Sequence, residues 1–466
     1  MEKIRPLHYS ISETPPFHLL GLFGLQQALL SVSAPLGVSI VVAEVVCAQK
    51  DEVIKAQILS ASMLMCGVAT FLMNTFGVRL PIFQGPTSMY IVPLLVMSSS
   101  PEWQCPGTYE SINPVDNSSI LLTVVGNNTA IPARQMILTK ISRVMISLVV
   151  GWAFSGILTA SGFFSDDPTS KEFLARTDAK GDIISRASVF DVPYPGKLGG
   201  LAFSTAGFLS FFIATLLSVL DSIGDYSACA RTARVPPLPR FAFNRGIAVE
   251  GLATILSGSL GCCHASVSYG GNIGAMGITG VASRRVFQLC GIIYVLCAVV
   301  GKIGAFFITI PLPVLGGTSL VMMGLFIGMV LSYLETINLR STRNLAIIGM
   351  ALLLGLIMPY WVTNNPEGIN TGSEQVDTLI KILLSNPSFV GGFFACAMDN
   401  SVPGTLKDRG LLEQMKELDG ESSDLSTEKS TEYMEGREVY RLPFIPQAFR
   451  RSKVAKIFPM FDTVSK

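Results

Sequence analysis

Three carboxylates and a run of glycines lie inside or beside apolar stretches between Leu198 and Val286, and these are the residues able to do chemistry. Asp221 and Asp225 close one apolar run, in Val219-Leu220-Asp221-Ser-Ile-Gly-Asp225, and Glu250 lies within the next. Arg231, Arg234, Arg240 and Arg245 surround Pro236-Pro237-Leu238-Pro239 between the two runs. Then comes Ser268-Tyr-Gly-Gly-Asn272-Ile-Gly274-Ala-Met-Gly277-Ile-Thr279-Gly280, followed closely by Arg284-Arg285. A carboxylate at hydrocarbon depth costs about 3 kcal/mol or more unless it meets water, a ligand or a partner. Glycine-rich, irregular backbone at that depth is tolerated only where protein or a cavity satisfies it. Together these are the ingredients of a polar-solute site near the bilayer midplane.

The elements that must position such a site are membrane helices. The 466 residues are 49% hydrophobic and 14% charged, with a mean hydropathy of +0.50. A soluble chain carries nearly twice that charge, so the reading is an all-α polytopic membrane protein whose first partner is the lipid bilayer. The balance of 34 basic against 33 acidic residues argues against nucleic acid as a partner. Nine cysteines over this length are no disulfide framework, and most read as small core residues. No basic head, short apolar core and small-residue cleavage site mark a signal peptide.

Residues 1–15 are polar, with Lys3 and Arg5, and read as cytoplasmic. Pro16–Ala48 is long enough for a span with a broken end, and it contains Gln26 and Gln27; Ile54–Gly77 is a second span. Leu80–Ser98 is a third candidate, but it opens Leu-Pro81-Ile-Phe-Gln84-Gly85-Pro86-Thr87-Ser88, and two prolines exclude a regular helix there. A ligand-facing half-strand is the expectation, a helix kink the alternative. Residues 99–135 form a polar loop with sequons at Asn117 and Asn127, which places it outside with glycans expected on both. Cys47 and Cys105 fall just beyond apolar ends on that same face and are a candidate disulfide.

Ile141–Phe164 is the next apolar run, and a mixed loop at 165–197 follows. Further runs lie at Leu198–Ser222, Gly246–Cys262, Phe287–Ile310, Val314–Tyr333, Leu345–Val362 and, more weakly, Pro387–Met398. Arg231–Arg245, Arg284-Arg285 and Arg340/Arg343 fall on every other connection, so those connections are cytoplasmic. Lys302 lies mid-run, where pairing with a carboxylate is expected, and His264 reads as a turn residue without a metal cluster. From Thr405 to the end at 466 the chain turns polar and reads as a disordered cytoplasmic tail.

At these motifs the chain resembles the nucleobase–ascorbate transporter family, most closely its animal sodium-dependent ascorbate branch. Asn272, Gly274, Thr279 and Gly280 match the family signature (271–280 here), whose first position is Gly271 in this chain. The resemblance extends to Gly224-Asp-Tyr-Ser-Ala-Cys-Ala-Arg231, Asn244-Arg-Gly246 with Glu250-Gly251, Ser283-Arg-Arg-Val286, Gly301-Lys302, Asn365-Pro, and Asp399-Asn with Val402-Pro-Gly404. It implies two inverted repeats of seven spans, with a substrate-carrying core domain that moves against a dimerising gate. Spans three and ten are expected to be partly unwound into short antiparallel strands. The implied substrate positions are Gln84, Gly85, Thr87 and Ser88 in span three and Gly270, Gly271, Asn272 and Gly274 in span ten. The acid of span eight falls on Asp221, where the family has Glu. Asp225, Glu250 and Thr279 complete the transport motif, and no cofactor is implied beyond sodium as a coupling ion.

Four departures qualify that carry-over. Asp221 is one methylene shorter than Glu, Gly271 offers no side chain where relatives bind a base edge, and Gln27 stands where relatives usually have His. The fourth is larger: three spans between the glycosylated loop and the Ile141–Phe164 run are missing, so residues 16–164 form an incomplete first repeat and 198–404 the second. Either Ile141–Phe164 inserts backwards, or it does not span, or the second half inverts against its own charges. With Gly151, Gly156, Gly162 and its hydroxyls, it is the run expected to be tilted, re-entrant or poorly inserted. Two functions compete: ascorbate or nucleobase symport at the plasma membrane, and a transport-incompetent short form that joins full-length relatives or stays in the endoplasmic reticulum. No His-Glu-x-x-His or Gly-x-Ser-x-Gly supports an enzyme.

Overall fold

The structure, a computed structural model, describes residues 7–48, 51–94, 150–197, 205–311, 337–365, 368–409 and 435–446 together with 460–461, save scattered positions inside those ranges; 312–336 is described only in part. The sequons at Asn117 and Asn127, Cys105 and the start of the Ile141–Phe164 run lie outside the described residues. Cys47 is disulfide-bonded.

The first apolar run folds as α1 (Phe17–Ser31) and α2 (Ser33–Val45), broken at Val32. Pro35 has no N–H to give back to Ser31, which explains the break. The Tyr294 hydroxyl fills in, donating to Ala28 O at 3.1 Å and Ser31 Oγ at 3.0 Å. α3 (Glu52–Thr75) starts on Asp51, whose carboxylate accepts from the amides of Val53 and Ile54, and it runs for 24 residues. Regular helix ends there. The Asn74 amide donates to Thr70 O and Ile82 O, at 2.7 and 2.8 Å, and folds the chain back along the end of α3. Residues 84–86 then extend as β1 (Gln84–Pro86), the half-strand that Pro81 and Pro86 made the expected form.

After the gap, α4 (Val150–Ala160) is apolar but short. Its hydroxyls hold the loop that follows: Ser155 Oγ donates to Ala175 O, and Thr159 Oγ1 accepts from Thr177 N. A short helix α5 (Asp182–Arg186) precedes the long α6 (Thr205–Thr232) and α7 (Arg240–Ser259). β2 (Ser266–Ser268), α8 (Gly270–Thr279) and α9 (Arg284–Val299) follow in turn.

The apolar run Phe287–Ile310 is helical but sharply bent. α9 ends at Val299 and α10 (Gly301–Ile308) leaves it at 95°. The carbonyl of Val299 accepts from Asp191 N at 3.0 Å, and a Cβ on Gly301 would lie 2.7 Å from Ser188 O. The loop at 165–197 therefore wedges into the run where glycine admits it. Lys302, just past that bend, is exposed and makes no ion pair among the described residues, so the buried carboxylate pairing expected of it is corrected. α11 (Thr342–Asn364), α12 (Glu374–Leu384) and α13 (Pro387–Ser401) follow. α11 crosses α13 where a Cβ on Gly391 would meet Ala351 O at 2.8 Å.

The core is built on α3 against α9, with Leu59, Met63, Cys66, Phe287, Cys290 and Tyr294 buried between them and α1. At the crossing a Cβ on Gly67 would lie 2.7 Å from Gly291 O, and one on Gly291 would lie 2.7 Å from Gly67 O. Close backbone approach through small residues drives helix association in lipid, where apolar surface alone does not. The polar tail is also corrected in part. The turn Arg437–Tyr440 is folded, and Val439, Tyr440 and Leu442 are buried against α7 and its preceding loop. Composition reads this tail as disordered because its anchors are few and local.

Adding one methyl at the crossing should cost about 1–3 kcal/mol. Gly291→Ala is therefore expected to lower the melting temperature of the purified protein by several degrees. Gly37→Ala, where a Cβ meets nothing within 4 Å, should leave it unchanged; equal shifts would refute the tight crossing.

Candidate solute site

The site forms where the two halves of the chain meet. β1 and β2 pair antiparallel, with Gln84 opposite Ser268, Gly85 opposite Val267 and Pro86 opposite Ser266. One strand follows α3 and the other precedes α8, so each half supplies the backbone partners that the other lacks. Every residue of both strands is buried. The Gln84 amide N–H is held by Thr70 Oγ1 at 2.9 Å, and Tyr269 N donates to Phe83 O at 3.0 Å.

Beside the strands sits Glu250 of α7. It accepts from Gln84 Nε2 at 3.1 Å on one oxygen and from Ser222 Oγ at 2.7 Å on the other. Three elements, β1, α6 and α7, thus converge on one carboxylate that is only 6% exposed. Tyr226, fully buried, lies against the same carboxylate, and a Cβ on Gly246 would meet its ring at 2.8 Å. Asp225 is buried one turn after Asp221 and faces Ser268 of β2. Gln84 Oε1, Ser266 Oγ and Asn272 Oδ1 are buried without a hydrogen-bond partner. Buried acceptors left open in this way are costly unless something donates to them or a cation meets them.

Asp221 is placed differently. It is exposed on α6, while Ser222 next to it is buried and holds Glu250. Successive residues on a helix point about 100° apart, so Asp221 and Ser222 cannot share one environment. The carboxylate that bridges the strands is Glu250.

α8 opens directly after β2. Its N-cap, Tyr269, gives no side-chain cap, and first-turn amides with a helix dipole behind them suit an anion or a polar ring. Tyr269 and Gly270 are part-exposed, whereas Gly271, Asn272 and Gly274 are buried. A Cβ on Gly271 would lie 2.7 Å from the Tyr269 ring, so that ring occupies the space a longer residue would need. Tyr269 packs edge-on against Phe83, their centroids 6.2 Å apart. Asn272 donates to Gln27 Oε1 at 2.7 Å and to Gln27 O at 3.2 Å, tying α8 to α1. Gln27 thus joins the two halves, a role that the pair Gln26-Gln27 in an apolar run signalled only as helix packing.

The remaining positions are local. Gly85 lies in β1, with a Cβ there 3.2 Å from the Phe83 ring. Thr87 Oγ1 accepts from Met89 N, and Ser88 opens the turn Ser88–Tyr90. Thr279 Oγ1 donates back to Ala275 O and precedes Gly280, which ends α8 at φ 67°. His264 is buried, with Nε2 3.0 Å from Ser62 Oγ and its carbonyl accepting from Ser257. Ser222, Tyr226 and Tyr269 carried no signal in the sequence beyond their neighbours in the motifs.

Comparison with known proteins bears on this arrangement. A model described as "Permease family" matches residues 19–113 and 113–363. Solute carrier family 23 member 1 of Rattus norvegicus is 30% identical, over 91% of this chain and 85% of its own length. The chain belongs to the nucleobase–ascorbate transporter family. It is a membrane transporter rather than an enzyme. Solute carrier family 23 member 2 of Homo sapiens is 29% identical over 98% of this chain and 82% of its own. Nucleobase-ascorbate transporter 1 of Arabidopsis thaliana is 27% identical over 88% of this chain. The family match breaks at residue 113, inside the polar loop where spans are missing. The rat alignment has 514 columns, so roughly ninety have no residue of this family member, about the length of three spans with their connections.

Removing Glu250 would leave Gln84 Nε2 and Ser222 Oγ without their acceptor, a loss of about 1–3 kcal/mol. Glu250→Ala is expected to lower the melting temperature markedly. Glu250→Gln, which keeps an acceptor of the same shape, should recover most of the loss; equal losses would mean Glu250 does not bridge the strands and α6.

Proposed function

We propose that this transporter carries ascorbate or a nucleobase by sodium- or proton-coupled symport, with the solute held between β1 and the N-terminus of α8. The observation that carries the proposal is the paired half-strands of the two halves, with an uncapped helix start beside them and Glu250 beneath. Such a site offers amide donors to an anionic or polar ring, glycines that let it approach, and Tyr269 as an aromatic wall. A relative whose name joins nucleobase and ascorbate supports the same solute classes.

In this reading Gln84, Gly85, Thr87, Ser88, Gly270, Gly271, Asn272 and Gly274 line the solute, with Asp221 as the motif acid on the exposed side of α6. Asp225 and Glu250 carry the coupling charge, with sodium as one candidate ion. The core moves against the α11–α13 side as an elevator, in a homodimer at the plasma membrane, with glycans on Asn117 and Asn127. A second reading is favoured by the positions without counterpart in this chain. In it, the chain does not transport alone but associates with full-length relatives or stays in the endoplasmic reticulum.

Uptake of labelled ascorbate, and separately of uracil and xanthine, by cells expressing this chain alone decides between the two. The first reading expects saturable uptake of one class, lost in Asp221→Asn at near-normal surface expression. Substituting choline for sodium should stop the uptake if sodium is the coupling ion. No uptake of either class, with normal surface delivery, would leave the second reading. Glycosidase treatment should increase gel mobility; an unchanged band would count against the outer placement of Asn117 and Asn127.

A further inference from the structure

Two arginines of the basic connections do more than orient the chain. Arg245 donates from Nε to Gly77 O at 2.6 Å and from Nη2 to Tyr440 O at 2.6 Å. Arg284 donates from Nε to Arg79 O at 2.8 Å and from Nη2 to Val439 O at 3.0 Å. Each therefore holds the linker between α3 and β1 with one guanidinium nitrogen and the C-terminal segment with another. Tyr440 is fully buried, its hydroxyl donating to Pro236 O at 2.7 Å, and Val439 and Leu442 are buried beside it. The segment is a strap laid over the linker that leads into Gln84.

The free edge of the strap is polar and accessible. The Glu435 carboxylate accepts from Ser12 N at 2.8 Å and from Ser12 Oγ at 2.5 Å, both exposed contacts. Ser12 belongs to an N-terminal stretch bound to the far end of α8: His8 N donates to Gly280 O, Ala282 N to Tyr9 O and Arg284 N to Ile11 O. One contact thus joins the stretch gripping the end of α8 to the strap gripping the linker into β1. Glu13, with its carboxylate on Ser10 N, adds a second acid beside Ser12. Burial raises the Glu435 carboxyl, but hydrogen bonds from Ser10 and Ser12 and the charge of Arg284 outweigh it and hold it below the usual glutamate range.

We infer that Ser12 is a modification site, and that a phosphoryl group on it releases the strap. In that step Ser12 Oγ forms a bond to the γ-phosphorus of a nucleoside triphosphate. The bond from that phosphorus to the β-bridging oxygen breaks, the nucleoside diphosphate leaves, and the hydroxyl proton passes to the base of a protein kinase. A donor to Glu435 becomes a group of about −2 charge between two carboxylates, which repels where it had bonded. Arg284, whose charge acts on Glu435, already spends Nε and Nη2 on Arg79 and Val439. With the latch open, the strap keeps only its buried side chains, the Tyr440 hydroxyl and the two arginine donors, and its cover over the linker into β1 loosens.

The test uses the full chain with Cys396→Ser and Leu442→Cys, labelled by a maleimide in membranes open on both faces. Ser12→Asp stands in for the charge and should speed labelling of the introduced cysteine roughly tenfold. Ser12→Ala, which only loses a hydrogen bond, should change it about two- to threefold. Adding Glu435→Gln to Ser12→Asp removes one like charge and should return the rate to near that of Ser12→Ala. Labelling unmoved by Ser12→Asp would overturn the latch, and so would a double variant as fast as Ser12→Asp alone.

Discussion

Within a bilayer a backbone amide or carbonyl has no water to fall back on, and the rest of this structure depends on how that requirement is met. Both halves of the chain break their helices at depth, one after Thr75 and the other after Ser259. Neither break would be tolerable alone. Laid antiparallel, Gln84–Pro86 and Ser266–Ser268 satisfy one another, and Asn74, Thr70 and Ser257 absorb the groups left at the edges. The Gly67–Gly291 crossing brings α3 to α9 closely enough for that pairing to occur. What remains between two such breaks is a group of donors, glycines and a carboxylate, already desolvated and already placed.

The order of dependence runs outward from there. Glu250 is useful only because β1 presents Gln84 to it, and β1 is extended only because Asn74 turns the chain back on α3. Gln27 and Asn272 then bind α1 to α8, so that the signature asparagine spends its amide on architecture and keeps only Oδ1 uncommitted.

Much of this was legible in the residues. Pro81 and Pro86 work against a regular helix through their segment, so the half-strand followed from local chemistry. Its partner and register did not, because β2 lies far along the chain and is fixed by tertiary contact. Asp221 drew attention as the acid of its motif, but helical phase decides which side chain turns inward, and Ser222 is the one that reaches Glu250. The bend after Val299 escaped hydropathy, which scores Phe287–Ile310 as continuous and cannot see Asp191 taking its carbonyl. The strap was hidden for the opposite reason. A polar tail gives a low hydrophobic average, and three buried side chains with two arginine donors are too sparse to raise it.

The packing of Tyr269 over Gly271 carries a consequence for how this chain can change by descent. A side chain longer than hydrogen at 271 meets the ring at 2.7 Å, and the ring is itself set edge-on to Phe83. Acquiring the glutamine or glutamate expected of relatives at 271 is therefore not one step. A smaller residue at 269 must come first, or the ring must swing, before a longer one at 271 is neutral. The two positions form an ordered pair: room at 269 has to come before length at 271.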